Sequence, residues 1–379
     1  MAPCAARAVR WALGACALWA ATGDFERNDR GVDPGVVLFE GQPLEFAMVS
    51  DLDLRSRDPE RFVWRSFLRR GRLVGVRESA PEREPGECGV PSDEASCSRG
   101  EARRLYRVEW GRTHVLETET AKANRSMELS ELVRFEDRLL AMCDYTGLIF
   151  KVNTADPPPG EQPKVFQRWA IADGNGEQVK PCKLEWATVK DGELWVGSIG
   201  KEWNAPDGRV VHRDAEWVKT ISKGKVKNVN WGSVYAALKF ASNTSQYLWH
   251  EAVHWCPRNR LWYILPRKRS AAEPYDPKRD ELMGTNLLLV ATEDFRDIRV
   301  VKVGPLQPDR GFTALRKIPG TEDHFLALKV REVGDETATW LATFDSKGNM
   351  LLDPKLKGVD GNGFLLVDAE IKYEGLEFV

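Results

Sequence analysis

The chain has 379 residues, with 55 Lys plus Arg against 57 Asp plus Glu and a formal net charge of −2 at pH 7. This balance argues against a nucleic-acid polymer as the main partner, because duplex binding goes with a basic surplus or patch. The length suggests two or three domains on the usual prior, but repeat folds exceed that prior as single units.

The N-terminus, MAPCAARAVRWALGACALWAATG, sets Arg7 and Arg10 ahead of an apolar stretch from Trp11 to Ala21, with Ala21 and Gly23 placed for cleavage. Residues 1–23 therefore read as a secretory signal. The stretch is too short to span a bilayer comfortably, so no stable membrane insertion is expected. The mature chain, 24–379, is expected as one domain in a secretory lumen or outside the cell. Residues 24–43 form a polar lead-in, and from Leu44 short apolar strands follow: LEFAMVSDLDL, RFVWRSFLRRGRLVGV, LYRVEWG and THVLETE.

A surface insertion over 81–104 interrupts them, and within it Cys88 and Cys97 bracket ECGVPSDEASC as an expected bridge. Cys143, Cys182 and Cys256 cannot all pair within one chain, so one free or intermolecular thiol is expected, and a homodimer stays open. Asn124-Arg-Ser126 and Asn243-Thr-Ser245 fit the glycosylation acceptor pattern, which is common by chance. Most of the 14 Trp lie within apolar runs, where core packing is their expected use. Helical periodicity is scarce, VYAALKFA being the best short exception.

MELSELVRFEDRLLAM, KLEWATVKDGELWVG, WHEAVHWCPRNRLWYIL, GFTALRKIPGTEDHFLAL and KYEGLEFV repeat one pattern: an oxygen-bearing residue, an apolar stretch and, in all but the terminal segment, a turn and a second apolar run. The oxygen-bearing residues Ser130, Glu185, Glu251, Thr313 and Glu374 are spaced by 55, 66, 62 and 61. Such a period predicts an all-β, five-bladed β-propeller, its ring closed when 371–379 pairs with the strands around Met48 to Leu54. One oxygen ligand per blade, aimed at the axis, is the donor set of a hard cation.

Other motifs have simpler uses. HEAVH, His250 to His254, matches a zinc-protease pattern that needs a helix, yet Pro257 follows and RLWYILP is a strand; Glu273, the nearest third ligand, lies in a turn. DGNG at Asp173 and at Asp360 lacks the remainder of a calcium loop and reads as a turn, as does GSIGK. SDLDLRSRD sets Asp51 and Asp53 two apart, on one face of a strand, for a cation, a basic partner or solvent. Asp144 and Tyr145 stand at a strand end before a turn.

SDLDLRSRD, RSMELSELVRF, CDYTGLIFKV, KLEWATVKDGELWVGSIGKEW, WHEAVHW with YILPRKRS, GTNLLL, GFTALRKIPG and YEGLEFV, in that order from about Phe46 to the last residue, resemble the calcium-activated nucleotidases, or secreted apyrases. The resemblance implies a five-bladed propeller with a calcium site in its central tunnel and hydrolysis of nucleoside di- and triphosphates. It implies calcium ligands at Ser130, Glu185, Glu251, Thr313 and Glu374, the five residues the repeat selects, some through their backbone carbonyl. It makes Asp51 and Asp144 catalytic, one orienting or deprotonating water while calcium draws charge from the phosphoryl oxygens. Arg125, Lys201, Arg267 and Lys268 become candidates to hold the nucleotide, with Asp53 and Glu128 in support.

The chain departs from the family pattern at Cys143 and Tyr145 around Asp144, where the family has Asp-Asp-Arg, and at Met283, where it has a basic residue. Thr313 replaces a Ser and keeps the hydroxyl. The expected activity is calcium-dependent hydrolysis of nucleoside diphosphates, and of triphosphates, to the monophosphate and phosphate. The alternative is a weakly active or non-catalytic propeller that binds calcium and nucleotide.

Overall fold

A computed structural model describes residues 42–77, 104–153, 157–158, 160–205 and 209–379. The leader and the Cys88 to Cys97 segment lie outside the described residues. Among those described, the strands form five four-stranded antiparallel sheets and one two-stranded ribbon. Blade 1 runs Lys372–Phe378, Leu44–Asp51, Trp64–Arg77, Arg104–Thr118, so the last strand of the chain pairs with the first described one. Blade 2 is Leu129–Phe135, Arg138–Cys143, Leu148–Val152, Val165–Ala170, and blade 3 is Trp186–Lys190, Glu193–Gly197, Trp217–Ser222, Lys225–Asn230. Blade 4 is Tyr247–Cys256, Leu261–Ser270, Leu287–Thr292, Ile298–Lys302, and blade 5 is Arg310–Lys317, His324–Val333, Glu336–Asp345, Leu365–Asp368.

The first strand of each blade touches the first strand of the next, and Lys372–Phe378 touches both Arg310–Lys317 and Leu129–Phe135. The five inner strands therefore close a ring, and the arrangement is a five-bladed propeller. Short apolar strands alone cannot bury both faces, and stacking blade on blade solves this. Each of the five interfaces holds its own cluster: Leu132 with Val49, Leu140 with Leu194, Trp186 with Ile264, Phe312 with Leu288, and Met48 with Leu328. The tryptophans gather in the cluster between blades 3 and 4, where Trp186, Trp195, Trp231, Trp255 and Trp262 lie 5.0–5.9 Å apart in a chain of ring contacts. At the Lys190 to Glu193 hairpin, Asp191 and Gly192 take φ of 51° and 75°, the handedness that a two-residue β-turn needs.

Three expectations are corrected. LYRVEWG and THVLETE belong to one strand, Arg104–Thr118, paired along its length with Trp64–Arg77. Asp53 is not on a strand with Asp51: the strand ends at Asp51 and Asp53 opens a 3-10 turn at φ 47°. Cys143, Cys182 and Cys256 are all free and buried, so three thiols are unpaired where one was expected. The apolar period in VYAALKFA does form a helix, Gly232–Ala241, which buries Tyr235 and Leu238.

Candidate functional site

The five repeating oxygen-bearing residues all sit at the inner strands, and each is nearly inaccessible: Ser130 2%, Glu185 1%, Glu251 2%, Thr313 0% and Glu374 2% exposed. What aims them is a defect in the ladder. Ser130, Glu251, Thr313 and Glu374 are each the residue skipped where the register shifts against the neighbouring strand. Such a bulge re-aims one side chain without breaking the sheet. Glu185 stands just ahead of Trp186–Lys190, anchored by its N–H to the Gly197 carbonyl at 2.9 Å.

Cations hold the carboxylates. Arg267 Nη1 donates to Glu251 Oε1 and Oε2 at 2.9 and 2.8 Å and to Glu374 Oε1 at 3.1 Å, while Nη2 donates to Glu332 Oε2 at 2.6 Å. Lys183 Nζ bridges Asp144 and Glu185, the latter at 2.5 Å. Lys372 Nζ lies 2.9 Å from Asp51 Oδ2, 2.8 Å from Asp53 Oδ2 and 3.3 Å from Glu332 Oε1. Asp53 also donates its N–H to Asp51 Oδ1 at 2.8 Å, so the turn brings together the two acids that a strand was expected to align. Arg125 forks onto Glu128, with Nε 2.8 Å from Oε1, and its guanidinium lies 4.1 Å above the Tyr145 ring. The Asp144 N–H donates to the Glu128 carbonyl at 3.1 Å, which joins the two halves of this acidic group.

Burial dominates the electrostatics. It pushes the Asp144 carboxyl up, Lys183 pulls it back and Asp51 adds to the rise. It also lifts Glu128 to about 7, against Arg125 and with the help of Asp51 and Asp144. Glu332 goes the other way: burial raises it, but Arg267, Lys372 and Lys268 hold it down to about 2. Lys183 stays well above its ordinary value despite burial because Asp144 and Glu185 face it.

Not every predicted residue joins this group. Lys268 pairs with Asp280, which also accepts from Tyr247 at 2.7 Å, and Lys201 donates to the Glu202 carbonyl and to Asn204 Oδ1 at 2.7 and 3.1 Å. Both stand over aromatic rings, Lys201 4.2 Å from Tyr275 and Lys268 5.0 Å from Trp249. HEAVH lies in the strand Tyr247–Cys256 rather than a helix, which removes the geometry of the zinc pattern. Both DGNG segments are turns closed by an N–H to carbonyl bond of 3.0 Å. Lys183, Lys372, Glu332 and Trp249, whose Nε1 donates to Glu251 Oε1 at 2.7 Å, are site residues that motif reading missed. Three of them carried a signal: Lys183, Trp249 and Lys372 each stand two residues before a repeating Glu.

The donor set suits a hard cation in kind. Ser130 Oγ and Thr313 Oγ1 are buried without a hydrogen-bond partner among the described residues, and Glu185, Glu251 and Glu374 add carboxylate oxygens. Asp51, Asp53 and Glu128 form the tight acidic group, their ligand atoms all within 4.8 Å of one another. Asp144 Oδ1, also buried, has no hydrogen-bond partner, so it can accept from a water or a substrate hydroxyl.

Against known proteins, a family model described as Apyrase matches residues 93–379. Soluble calcium-activated nucleotidase 1 of Mus musculus is 37% identical over 345 residues, covering 89% of this chain and 74% of the relative. Apyrase apy-1 of Caenorhabditis elegans is 34% identical over 338 residues, 87% of this chain and 83% of the relative. An apyrase of Cimex lectularius is 34% identical over 279 residues, 72% of this chain and 71% of the relative. With five blades on one axis and this likeness across most of its length, the chain belongs to the apyrase family.

Proposed function

We propose that this protein is a calcium-dependent nucleotidase that cleaves the terminal phosphoanhydride of nucleoside diphosphates, and of triphosphates, to the monophosphate and inorganic phosphate. The observation that carries the reading is the ring of one buried oxygen-bearing residue per inner strand, beside the Asp51 and Asp144 network, in a chain of this family. Ser130, Glu185, Glu251, Thr313 and Glu374 would hold the calcium, which when bound draws charge from the phosphoryl oxygens.

The chain's own groups supply the rest. Asp144 has one oxygen held by Lys183 and one without a partner, and burial raises its proton affinity, which favours taking a proton from water. Water adds to the terminal phosphorus, the bond to the bridging oxygen breaks, and the water proton passes to Asp144 or Asp51. Arg125, Arg267, Lys183 and Lys372 are the cations close enough to this group to share the phosphate charge. Lys201 and Lys268, beside Tyr247, Tyr275 and Trp249, would serve farther along the nucleotide. The reading places the mature chain in a secretory lumen or outside the cell, and among the described residues no helix is long and apolar enough to cross a membrane.

A second reading, a propeller that binds calcium and nucleotide with little turnover, draws on Cys143 and Tyr145. The Cys143 thiol is buried and pushed up to about 12 by that burial, so it cannot stand in for a carboxylate. Phosphate release from UDP, GDP, ADP and ATP, in calcium, magnesium, zinc or chelator, separates the two. Calcium-dependent release lost in Glu185→Ala supports the nucleotidase; calcium binding without release supports the second reading.

A further inference from the structure

Glu332 belongs to the second strand of blade 5, outside the ring of inner strands, yet its carboxylate reaches two cations of the site, Arg267 and Lys372. Oε2 accepts from Arg267 at 2.6 Å and Oε1 from Lys372 at 3.3 Å. The other partners of Arg267 are sealed in, with the Glu251 and Glu374 side chains 2% and 3% exposed. Of the other partners of Lys372, the Asp51 side chain is 4% exposed and Asp53, which does not reach Arg267, is 45% exposed. Glu332 is 36% exposed, and among the described residues it is the one acid that forms a direct ion pair with both Arg267 and Lys372.

An anionic substrate meets a difficulty here, because both cations are already bonded to carboxylates. A phosphoryl group gains both most readily where an acid that they share gives way, and a shared acid with an open path to water does so at low cost. The two oxygens of Glu332, one on a guanidinium and one on an ammonium, occupy the places that two phosphoryl oxygens would take. We propose that Glu332 is a built-in phosphate surrogate, which holds Arg267 and Lys372 in position and yields both to a phosphoryl group of the bound nucleotide. This rests on the nucleotidase reading of the site. A side chain that swings into solvent requires no movement of the strand that carries it.

A surrogate and a simple brace differ in sign. If Glu332 competes with phosphate, weakening it tightens the nucleotide; if it only braces the two cations, weakening it loosens the nucleotide or slows turnover. Glu332→Gln keeps the shape without the charge, and Glu332→Asp keeps the charge but withdraws it, so a folding defect in one leaves the other. The measurements are calorimetric binding of inorganic phosphate and of α,β-methylene-ADP in calcium, kcat and KM for the best substrate, and thermal melting.

For Glu332→Gln the expected result is a Kd and KM lower by roughly tenfold, about one charge-assisted contact, with kcat within about twofold of the parent. Glu332→Asp should shift in the same direction by less. Unchanged or weaker binding in both variants, or a kcat loss at constant KM, overturns the proposal while leaving the nucleotidase standing. If the parent protein neither binds the analogue nor releases phosphate, the nucleotidase reading falls and this proposal with it.

Discussion

Arg267 grips both carboxylate oxygens of Glu251, at 2.9 and 2.8 Å, and with the same nitrogen reaches Glu374 at 3.1 Å. One guanidinium thus ties an acid of blade 4 to an acid of blade 1. Arg267→Met leaves both acids buried without their partner, a change that costs about 3–5 kcal/mol. Urea unfolding in chelator should show that loss. Calcium should then return more stability to the variant than it adds to the parent, because the freed carboxylates gain a cation. Equal stabilisation of both proteins would place calcium away from Glu251 and Glu374.

Asp144 and Glu185 share Lys183 but are assigned different work, and substitution should separate them. Asp144→Asn should lower kcat about 10²–10⁴-fold, the usual contribution of a general base, while calcium binding by calorimetry is retained. Glu185→Ala should lose calcium affinity first, with activity lost as a consequence. If Asp144→Asn retains its kcat, Asp51 is the proton acceptor.

The ring of buried oxygen-bearing residues was legible in the sequence because each blade returns one of them to its inner strand at a period near that of a blade. The bulges were not legible: a skipped residue leaves no trace in an apolar pattern, yet at Ser130, Glu251, Thr313 and Glu374 it decides where the side chain goes. The same device separates Arg267 from Lys268. Both flank one motif, but the ladder pairs Trp249 with Lys268 and His250 with Pro266, so Arg267 is skipped and turns to Glu251 while Lys268 turns to Asp280. Nearness to a motif therefore does not say which network a cation joins. Glu332 gave no signal, because its contacts come from blade 5 packing against blade 1, between distant parts of the chain.

Gly375 follows Glu374 on the strand that closes the ring, and a Cβ there would lie 2.6 Å from the Glu131 carbonyl carbon and 2.7 Å from its Cα. Backbone cannot swing aside as a side chain can. Gly375→Ala should therefore destabilise the protein by about 2–3 kcal/mol, through separation of the inner strands of blades 1 and 2. Gly75, where a Cβ would meet nothing within 4 Å, is the control, and Gly75→Ala should leave the unfolding midpoint close to that of the parent. Equal effects at the two sites would mean that close approach is not what Gly375 provides.

Lys329 is 0% exposed in blade 5, with Gln307 Oε1 3.4 Å from its Nζ and the rings of Phe312 and Phe364 at 4.9 and 5.1 Å. Burial lowers its pKa from 10.5 to about 7, and Arg310 adds to the fall. The folded value lies below the unfolded one, so between these two values the unfolded chain binds a proton that the folded chain does not, and this residue's contribution makes stability rise with pH. Below the folded value the penalty of the buried ammonium is felt in full. Lys329→Met, of similar length and uncharged, should remove it. The variant should exceed the parent in stability by on the order of 3 kcal/mol at about pH 6, with the gap closing towards about pH 10.5. Urea midpoints of both proteins across that range provide the test. Subtracting one curve from the other cancels the titrations they share, and a difference that does not vary with pH would mean that Lys329 is not buried in this form.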